Sequence, residues 1–200
     1  MTSMTSAATP KGVRRRSRLI EAAGALLLEG GFDAVRHRAV ADRAELPLAS
    51  TTYYFGSLED LMAQAADYVC RGDEAAIAAR GAALRRRRRG ARAMADALVD
   101  VFVGADTTVH DLAARYEMFA LAPRYELLNA VIADHHALLA GIHTDVLEKS
   151  GRHADPVHVR CLIAVEDGAV MGALGQQPAV PLVAAREALV SVIDVLAPPN

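Results

Sequence analysis

Residues 36–61, RHRAVADRAELPLASTTYYFGSLEDL, decide the fold class because they contain two short helical segments separated by a turn. The first segment ends near Glu45, and its apolar positions are Val40, Ala41 and Ala44. Pro47 opens the second segment, since proline is tolerated in the first turn of a helix. This layout predicts a helix-turn-helix unit, and an ordinary helical hairpin that packs a core is the alternative.

The second segment has the small and polar side chains that a DNA-reading helix requires. Its backbone would have to enter a major groove about 12 Å wide. We expect base discrimination from Ser50, Thr51 and Tyr53, with Leu48 on the same outward face. The side chains expected to hold the phosphate backbone, which fix register rather than sequence, are Arg14, Arg15, Arg16, Arg36, His37, Thr52 and Tyr54.

Apolar periodicity predicts longer helices on both sides of this unit. A helix over about 14–29 would end at the Gly30-Gly31 pair, where a left-handed C-cap is needed. Ser57 is expected to cap a second long helix. The first turn of that helix carries Glu59 and Asp60, whose carboxylates complement the helix dipole.

Five further helices are predicted in the remainder of the chain. Glycine and proline residues separate them, and their ranges are about 91–103, 107–121, 123–150, 156–175 and 181–196. The arginine run 85–89 indicates a solvated link, and a second DNA-contacting patch is the alternative. These elements predict an all-α fold of about nine helices, with an N-terminal three-helix helix-turn-helix head and a C-terminal helical bundle.

Composition and charge agree with a helical protein that has a basic head. The 200 residues are 52% hydrophobic and 4% aromatic, and the net charge is -2. Residues 1–55 hold eight Lys/Arg against five Asp/Glu, whereas residues 101–200 hold six against twelve, so only the first part would attract a polyanion. No stretch approaches the roughly 18 apolar residues of a membrane span, so we expect no membrane partner and a cytoplasmic location. Cys70 and Cys161 are expected to be reduced, buried thiols.

The stretch RLIEAAGALLLEGGFDAVRHRAVADRAELPLASTTYYFGSLEDLM resembles the N-terminal domain of TetR-family regulators over about residues 14–62. The resemblance combines E-G-G-F, A-V-A-x-x-A, the ending Y-Y-F and S-x-x-D-L. It implies nine or ten helices, a homodimer built on the last two, and an effector pocket among the middle ones. We therefore divide the chain into a disordered tail at 1–12, a DNA-binding domain at 13–57, and a ligand-binding and dimerisation domain at 58–200.

The sequence departs from the common pattern of the family at five positions. Glu45 stands where glycine is usual, and it would be strained if the turn needs a positive φ. Arg36 replaces a capping Thr or Ser, and Leu58 replaces a Lys, so phosphate contacts at these points are in doubt. Pro47 and Thr52 replace a usual Ser and a usual Tyr.

The body offers candidates for ligand binding and for dimerisation. Tyr116, Phe119, Tyr125 and His136 are expected to line an effector pocket, and core packing is the alternative for each. Four histidines could form a metal-sensing site, but no carboxylate or cysteine completes an obvious set, so we expect no metal: His110, His135, His136 and His143. The two last helices are apolar, which indicates a dimer seam or packing inside one subunit.

These observations predict a transcriptional regulator, by family habit a repressor, that binds a palindromic DNA operator as a homodimer and is released by a small-molecule effector. No cofactor is expected. An enzyme is disfavoured, because the sequence has no Gly-rich phosphate loop and no nucleophile elbow. The alternative is a helical ligand-binding or interaction module that has lost DNA binding. The three departures at Glu45, Arg36 and Leu58 favour this alternative.

Overall fold

The computed structural model describes residues 9–176 and 178–200, and this part of the chain is built from α-helices. Their ranges are α1 Pro10–Ala34, α2 His37–Arg43, α3 Leu48–Tyr54, α4 Leu58–Ala83, α5 Ala91–Phe102, α6 Val109–Leu121, α7 Glu126–Lys149, α8 Pro156–Leu174 and α9 Pro181–Leu196. A 3-10 turn, Ala122–Arg124, joins α6 to α7. The predicted all-α fold of about nine helices is confirmed. Among the described residues, no helix combines the length and apolar character that crossing a membrane requires.

The first helix is longer than expected at both ends. It begins at Pro10, with the Thr9 hydroxyl accepting from the Gly12 amide at 3.2 Å, so residues 10–12 are helical rather than part of a tail. Residues 1–8 of that predicted tail lie outside the described residues. The Gly30-Gly31 pair kinks α1 instead of ending it, because Gly31 adopts φ 64° and the helix resumes as far as Ala34.

Two apolar cores lie along the molecule, and α4 takes part in both. Leu27, Phe32 and Phe55 of the head pack with Leu61 near the beginning of α4. Further along the same helix, Ile77 joins the core of the body. Head and body thus share α4, and the packing is continuous across residues 57 and 58. The division of the chain at this point remains a prediction about function.

The turn between α2 and α3 places a non-glycine residue, Glu45, in the left-handed conformation. Glu45 has φ 52°, and within the described residues it is the one non-glycine residue with a positive φ. Its amide donates to the Asp42 carbonyl at 3.1 Å, and the Leu46 amide donates to the Ala41 carbonyl at 3.0 Å. A left-handed conformation costs an L-residue about 1 kcal/mol, so the predicted strain at Glu45 is confirmed.

The arginine run lies in an extended link between α4 and α5, at the end of the body far from the head. Arg85 to Arg88 are exposed, as a solvated link predicts. Arg89 differs: it is buried and donates to the Ser150 hydroxyl at 3.1 Å and to the Arg85 carbonyl at 3.0 Å. Because α4 rises about 1.5 Å per residue over 26 residues, the run lies about 39 Å from the start of that helix.

Candidate DNA-binding surface and effector site

The third helix exposes one face and buries the other. Tyr53 is 80% exposed and Leu48 is 47% exposed, while Thr52 is exposed and Ser50 is half-buried. Thr51 is fully buried, and its hydroxyl donates to the Leu48 carbonyl at 2.8 Å. The expectation that Thr51 reads bases is therefore wrong, because that side chain anchors α3 to the core of the head.

Two of the three arginines at the beginning of α1 are exposed. Arg14 and Arg15 point to no described acceptor and are open to solvent. Arg16 is half-buried, donates to the Gln64 side chain at 3.0 Å and lies 5.6 Å from the centre of the Phe55 ring. Arg16 therefore helps to join α1 to α4. No local sequence pattern indicated this packing role.

The N-terminus of α2 lacks a side-chain cap, as the replacement of Thr or Ser by Arg36 predicts. The Arg36 guanidinium instead donates to the carbonyls of Phe32 at 2.9 Å and Val35 at 3.1 Å, and it pairs with Asp33 at 2.9 Å. Most N–H groups of this guanidinium are thus already bonded to groups at the end of α1. His37 is half-buried, and its Nδ1 has no hydrogen-bond partner in the described part of the chain.

The tyrosines that end α3 differ in exposure. Tyr54 is half-buried, and its hydroxyl lies close to Gly12 near the start of α1. The rings of Tyr53 and Tyr54 meet edge to face at 4.9 Å. Sequence reasoning did not name Arg38, an exposed cation of α2, because it lies outside the apolar pattern.

A cleft of about 830 Å³ opens between α7 and α8. Its walls are mostly apolar and include Ala140, Val159 and Ile163. At its inner end, His136 and Asp167 also line a small cavity bordered by α6. Arg115 also borders this cavity, and we call the other polar residues around it the inner cluster: Tyr116, His136, His143, Glu166 and Asp167.

The inner cluster holds two adjacent carboxyl groups with different partners. Asp167 accepts a hydrogen bond from the Tyr116 hydroxyl at 2.8 Å. The second carboxyl group, that of Glu166, is 4% exposed and contacts His143 Nε2 through Oε2 at 3.4 Å. Its other oxygen, Oε1, is buried without a hydrogen-bond partner among the described residues. A buried polar atom without a partner is uncommon in folded proteins.

The proton positions in the His143–Glu166 pair follow from geometry. His143 Nδ1 lies 2.8 Å from the Leu139 carbonyl, which can only accept, so Nδ1 carries a hydrogen. Neutral His143 then has a bare Nε2, which cannot donate to Glu166. The Phe102 ring is stacked on the imidazole, with the ring centres 3.4 Å apart.

Burial shifts the pKa values of three groups in the inner cluster. It raises the pKa of Asp167 above its usual range, although the Tyr116 hydrogen bond opposes this shift. Burial also raises the pKa of Tyr116, with the neighbouring Asp167 charge acting in the same direction. It lowers the pKa of His136.

The structure brings three of the four predicted pocket residues together. Tyr116, Phe119 and His136 line the small cavity, and the rings of Phe119 and His136 are 4.7 Å apart. Tyr125 lines neither the cleft nor the small cavity and packs against the apolar cluster that the head shares with α6 and α7, so the structure does not bring it to the other three. Glu166 and Asp167 were missed, although two consecutive acids inside an apolar helix were a visible signal.

The histidines of the body do not gather into a metal site. His135 is buried and pairs with Glu74 at 2.9 Å, while His110 is exposed on α6. In the described part of the chain, no group of three His, Cys, Asp or Glu side chains has a geometry that would hold a metal ion.

The last two helices pack on each other and leave one stripe of α8 uncovered. Their inner faces meet through Leu162, Val170 and Leu189, so part of their apolar surface does belong inside one subunit. The exposed stripe of α8, which we call the α8 stripe, consists of Val157, Cys161, Ala164, Gly168, Met171 and Gly172. Cys161 is therefore exposed in the single chain, in contrast to the buried thiol that was expected, whereas Cys70 is buried.

Comparison with known proteins identifies the class. Residues 89–195 match a family model described as the C-terminal domain of Tetracyclin repressor-like proteins. The multidrug binding protein EbrR, solved in complex with proflavin, is 30% identical and has a TM-score of 0.70, with 90% of this chain and 99% of that chain covered. No curated protein sequence matches the chain. The chain belongs to the TetR family of transcriptional regulators.

Two further solved structures agree with this assignment. SCO1917, a TetR-family member from Streptomyces coelicolor A3, is 30% identical with a TM-score of 0.64, and the match covers 89% of this chain and 97% of that chain. A transcriptional regulator from Rhodococcus sp. Rha1 is 18% identical with a TM-score of 0.69, over 92% of this chain and 98% of that chain. The second of these supports the fold alone.

Proposed function

We propose that the chain is a homodimeric repressor that binds a partly palindromic operator and leaves it when a small-molecule effector enters the cleft between α7 and α8. The observation that carries the proposal is that α6 borders both the inner cluster and the kink of α1 in the head. An exposed α3 and an effector cleft are thereby connected through packed helices. This role needs no cofactor, and we assign the chain no catalytic activity and a cytoplasmic location.

DNA recognition in this proposal uses the exposed face of α3. Tyr53, Leu48 and Ser50 would contact base edges in the major groove. Phosphate contacts would come mainly from Arg14 and Arg15, whose guanidinium groups are exposed. Smaller contributions are expected from the remaining predicted positions, two of which already serve packing inside the head: Arg16, Arg36, His37, Thr52 and Tyr54.

Dimerisation in this proposal uses the last two helices, and α8 contributes the α8 stripe. Val157 and Met171 are 55% and 49% exposed, and the Cα atoms of Gly168 and Gly172 face open space in the single chain. Small residues flanked by exposed apolar ones allow a second copy of the helix to approach closely across a two-fold axis. The two copies of α3 would then be about 34 Å apart, which is one turn of DNA.

Release of DNA in this proposal depends on α6. Tyr116 faces the inner cluster, and the next residue, Glu117, accepts from the Phe32 amide at 3.3 Å, just beyond the kink of α1. A ligand that displaces α6 would therefore displace the head. It shifts the equilibrium only if it binds the released conformation more tightly than the DNA-bound one. EbrR, which has been crystallised in complex with proflavin, supports a small-molecule effector for this chain.

Fluorescence anisotropy tests the proposal with DNA from the region upstream of the chain's own gene, at two salt concentrations and with non-specific competitor. Arg14→Ala/Arg15→Ala should weaken binding and lower the salt slope by about 0.9 for each phosphate that the variant no longer neutralises. The matched control is Arg85→Ala/Arg86→Ala, which removes two exposed arginines at the far end of the body. Equal effects of the two double variants would contradict the proposed surface.

The second candidate is a ligand-binding module whose head no longer binds DNA. The left-handed Glu45 and the occupied Arg36 guanidinium favour it. The same anisotropy experiment separates the two candidates. Competitor-resistant binding supports the repressor, whereas binding no stronger than to random DNA, together with effector binding in the cleft, supports the module.

A further inference from the structure

We infer that a cavity at the far end of the body binds a small molecule with adjacent phosphate groups, held by the guanidinium groups of Arg80, Arg87 and Arg89. The cavity has a volume of about 430 Å³ and lies between the end of α4, the link that follows it and α5. It shares no lining residue with the cleft between α7 and α8. The inference therefore rests neither on the proposed effector site nor on DNA binding.

The three arginines reach this cavity from two neighbouring segments. Arg80 belongs to the last turn of α4, whereas Arg87 and Arg89 belong to the extended link. The link is fixed against the end of α7, because the Arg87 amide donates to the Lys149 carbonyl at 2.9 Å and the Arg89 amide donates to the Ser150 carbonyl at 3.1 Å. Side chains two positions apart in an extended segment project to the same side, which is why both line one cavity.

The guanidinium groups contact neutral acceptors instead of carboxylates. Arg80 Nε donates to the Val101 carbonyl at 2.7 Å, and Arg89 donates to the Ser150 hydroxyl at 3.1 Å. Burial lowers the pKa of Arg80 and of Arg89, and the neighbouring charge of Arg87 lowers that of Arg89 further. A bound anion would therefore stabilise the charged form of these groups.

The carboxylates near these arginines do not neutralise them. Two line the cavity, Asp96 and Asp100, and both pair with Arg186, at 3.3 and 2.7 Å. Two more face Arg80 across a different cavity without reaching ion-pair distance: Asp73 and Asp106. Among the residues that the structure describes, the three arginines thus have no ion-pair partner, and the cavity carries excess positive charge.

The size and the charge of the cavity together indicate the class of ligand. Guanidinium groups bind phosphate oxygens through pairs of parallel N–H bonds, and several of them together suit a ligand with several phosphates. Ala93, in the first turn of α5, also lines the cavity, and Gly90 gives this helix no side-chain cap, so its positive end supports an anion. A volume of about 430 Å³ accommodates a small molecule rather than a single ion.

The backbone of duplex DNA is the competing occupant, and burial argues against it. A duplex is rigid and would contact the exposed arginines of the run, Arg85, Arg86 and Arg88. Arg89, however, is 7% exposed, and Arg80 is half-buried. A small phosphate ligand can enter the cavity and reach both groups.

Isothermal titration calorimetry of the full-length protein, without DNA and without divalent metal ions, tests this inference. The probe is inorganic pyrophosphate, which has two adjacent phosphate groups, and sulfate is the comparison anion with a single group. We expect pyrophosphate to bind at least about tenfold more tightly than sulfate, since one additional charge-assisted hydrogen bond is worth that much.

Two double variants assign the binding to the cavity. Arg80→Gln/Arg87→Gln removes two of its three guanidinium groups, so pyrophosphate should lose at least about tenfold in affinity. Arg85→Gln/Arg86→Gln removes the same charge from exposed residues of the same run that do not line the cavity, and it should keep most of the affinity. Arg87→Gln alone changes an exposed residue and carries the test if the Arg80 variant does not fold.

A steric variant tests the cavity without changing any charge. Ala93 is exposed and lines the cavity, so Ala93→Phe should obstruct it and weaken pyrophosphate binding while every arginine remains. Ala79→Phe places the same ring at an exposed position of α4 outside the cavity and should leave the affinity unchanged.

Three results would overturn the inference. The first is a pyrophosphate affinity no higher than that for sulfate. The second is an equal loss in the two double variants, both folded by circular dichroism, because the binding would then follow the net charge of the run. The third is displacement of pyrophosphate by a duplex of random sequence, which would assign the arginines to a nucleic-acid surface.

Discussion

The Glu117 carboxylate accepts a hydrogen bond from the Phe32 amide at 3.3 Å, which joins α6 of the body to the segment just beyond the kink of α1. Gly31 makes this approach possible, because a Cβ at residue 31 would overlap the Glu117 carboxylate. Tyr116, the neighbour of Glu117, donates to Asp167. Adjacent residues of one helix thus contact the proposed effector site and the head.

Removal of this hydrogen bond should uncouple the two sites. We expect Glu117→Ala to retain operator affinity and effector affinity while the effector loses most of its ability to release DNA, a coupling that is typically 5- to 150-fold, about 1–3 kcal/mol. Anisotropy with and without effector measures it. Glu148→Ala, an exposed glutamate of α7, is the control. Full release of DNA from the Glu117→Ala variant would rule out this route.

The strained turn offers a test of stability. Glu45→Gly should raise the free energy of unfolding by about 1 kcal/mol, because glycine adopts φ 52° without steric cost. The Arg18–Glu45 ion pair, which this variant removes, is 3.9 Å long and exposed, so it contributes little. Urea unfolding at fixed protein concentration is the measurement. Ala39→Gly inside α2 is the control and should lose about 1 kcal/mol, and a loss at both positions would refute the strain.

The α8 stripe predicts the behaviour of two glycine variants. Gly168→Arg should convert the dimer to monomer, since it places a charge in the seam, while Gly72→Arg on α4 should not. Neither glycine has an atom within 4 Å of the position that a Cβ would occupy, so both variants should fold. Sedimentation equilibrium decides between the outcomes, and a dimeric Gly168→Arg protein would place the interface elsewhere.

Thiol reactivity gives a second view of the same seam. Burial, with help from Asp73, raises the pKa of the Cys70 thiol to about 12, so it should resist iodoacetamide in the folded protein. Cys161 should react slowly in the native dimer and quickly in the Gly168→Arg monomer. Mass spectrometry of the alkylated peptides follows both residues. Equal rates for Cys161 in the two proteins would mean that α8 is uncovered in solution.

Asp167 should make stability depend on pH in an unusual direction. Because burial raises the pKa of Asp167 in the folded protein, the folded state binds this proton more tightly than the unfolded state does. Its contribution to stability is therefore lost as pH rises from the unfolded value through the folded one. Asp167→Asn should be more stable than the unaltered protein at pH 7, an advantage that shrinks on acidification. Thermal unfolding at several pH values would show the opposite trend if Asp167 were a stabilising ion-pair partner.

Local signals in the sequence predicted the helices well, whereas the site residues depended on distant contacts. The Ser57 cap and the prolines that begin α8 and α9 act within a few residues, so the pattern alone located them, whereas the Gly30-Gly31 pair kinks α1 instead of ending it. The burial of Thr51 was not predictable in the same way, because a seven-residue helix is too short for its periodicity to fix the buried face.

The residues of the proposed effector site were also not predictable from local sequence, because they are far apart along the chain. Asp167 and Tyr116 are 51 positions apart, and only the packing of α6 against α8 brings them to 2.8 Å. Arg16 meets Gln64 across 48 positions, which is why its role in packing was not anticipated. Tyr125 carried the same aromatic signal as Phe119, yet the turn before α7 places it away from the small cavity that Phe119 lines.

Hydroxyl-radical footprinting on DNA from the region upstream of the chain's own gene tests the central claim most directly. A homodimer with its two copies of α3 in successive major grooves should protect two symmetric patches on one face of the duplex, centred about 10 base pairs apart. Effector should remove both patches together. Uniform or absent protection at concentrations where the protein is dimeric would contradict the account of this chain as an operator-binding regulator.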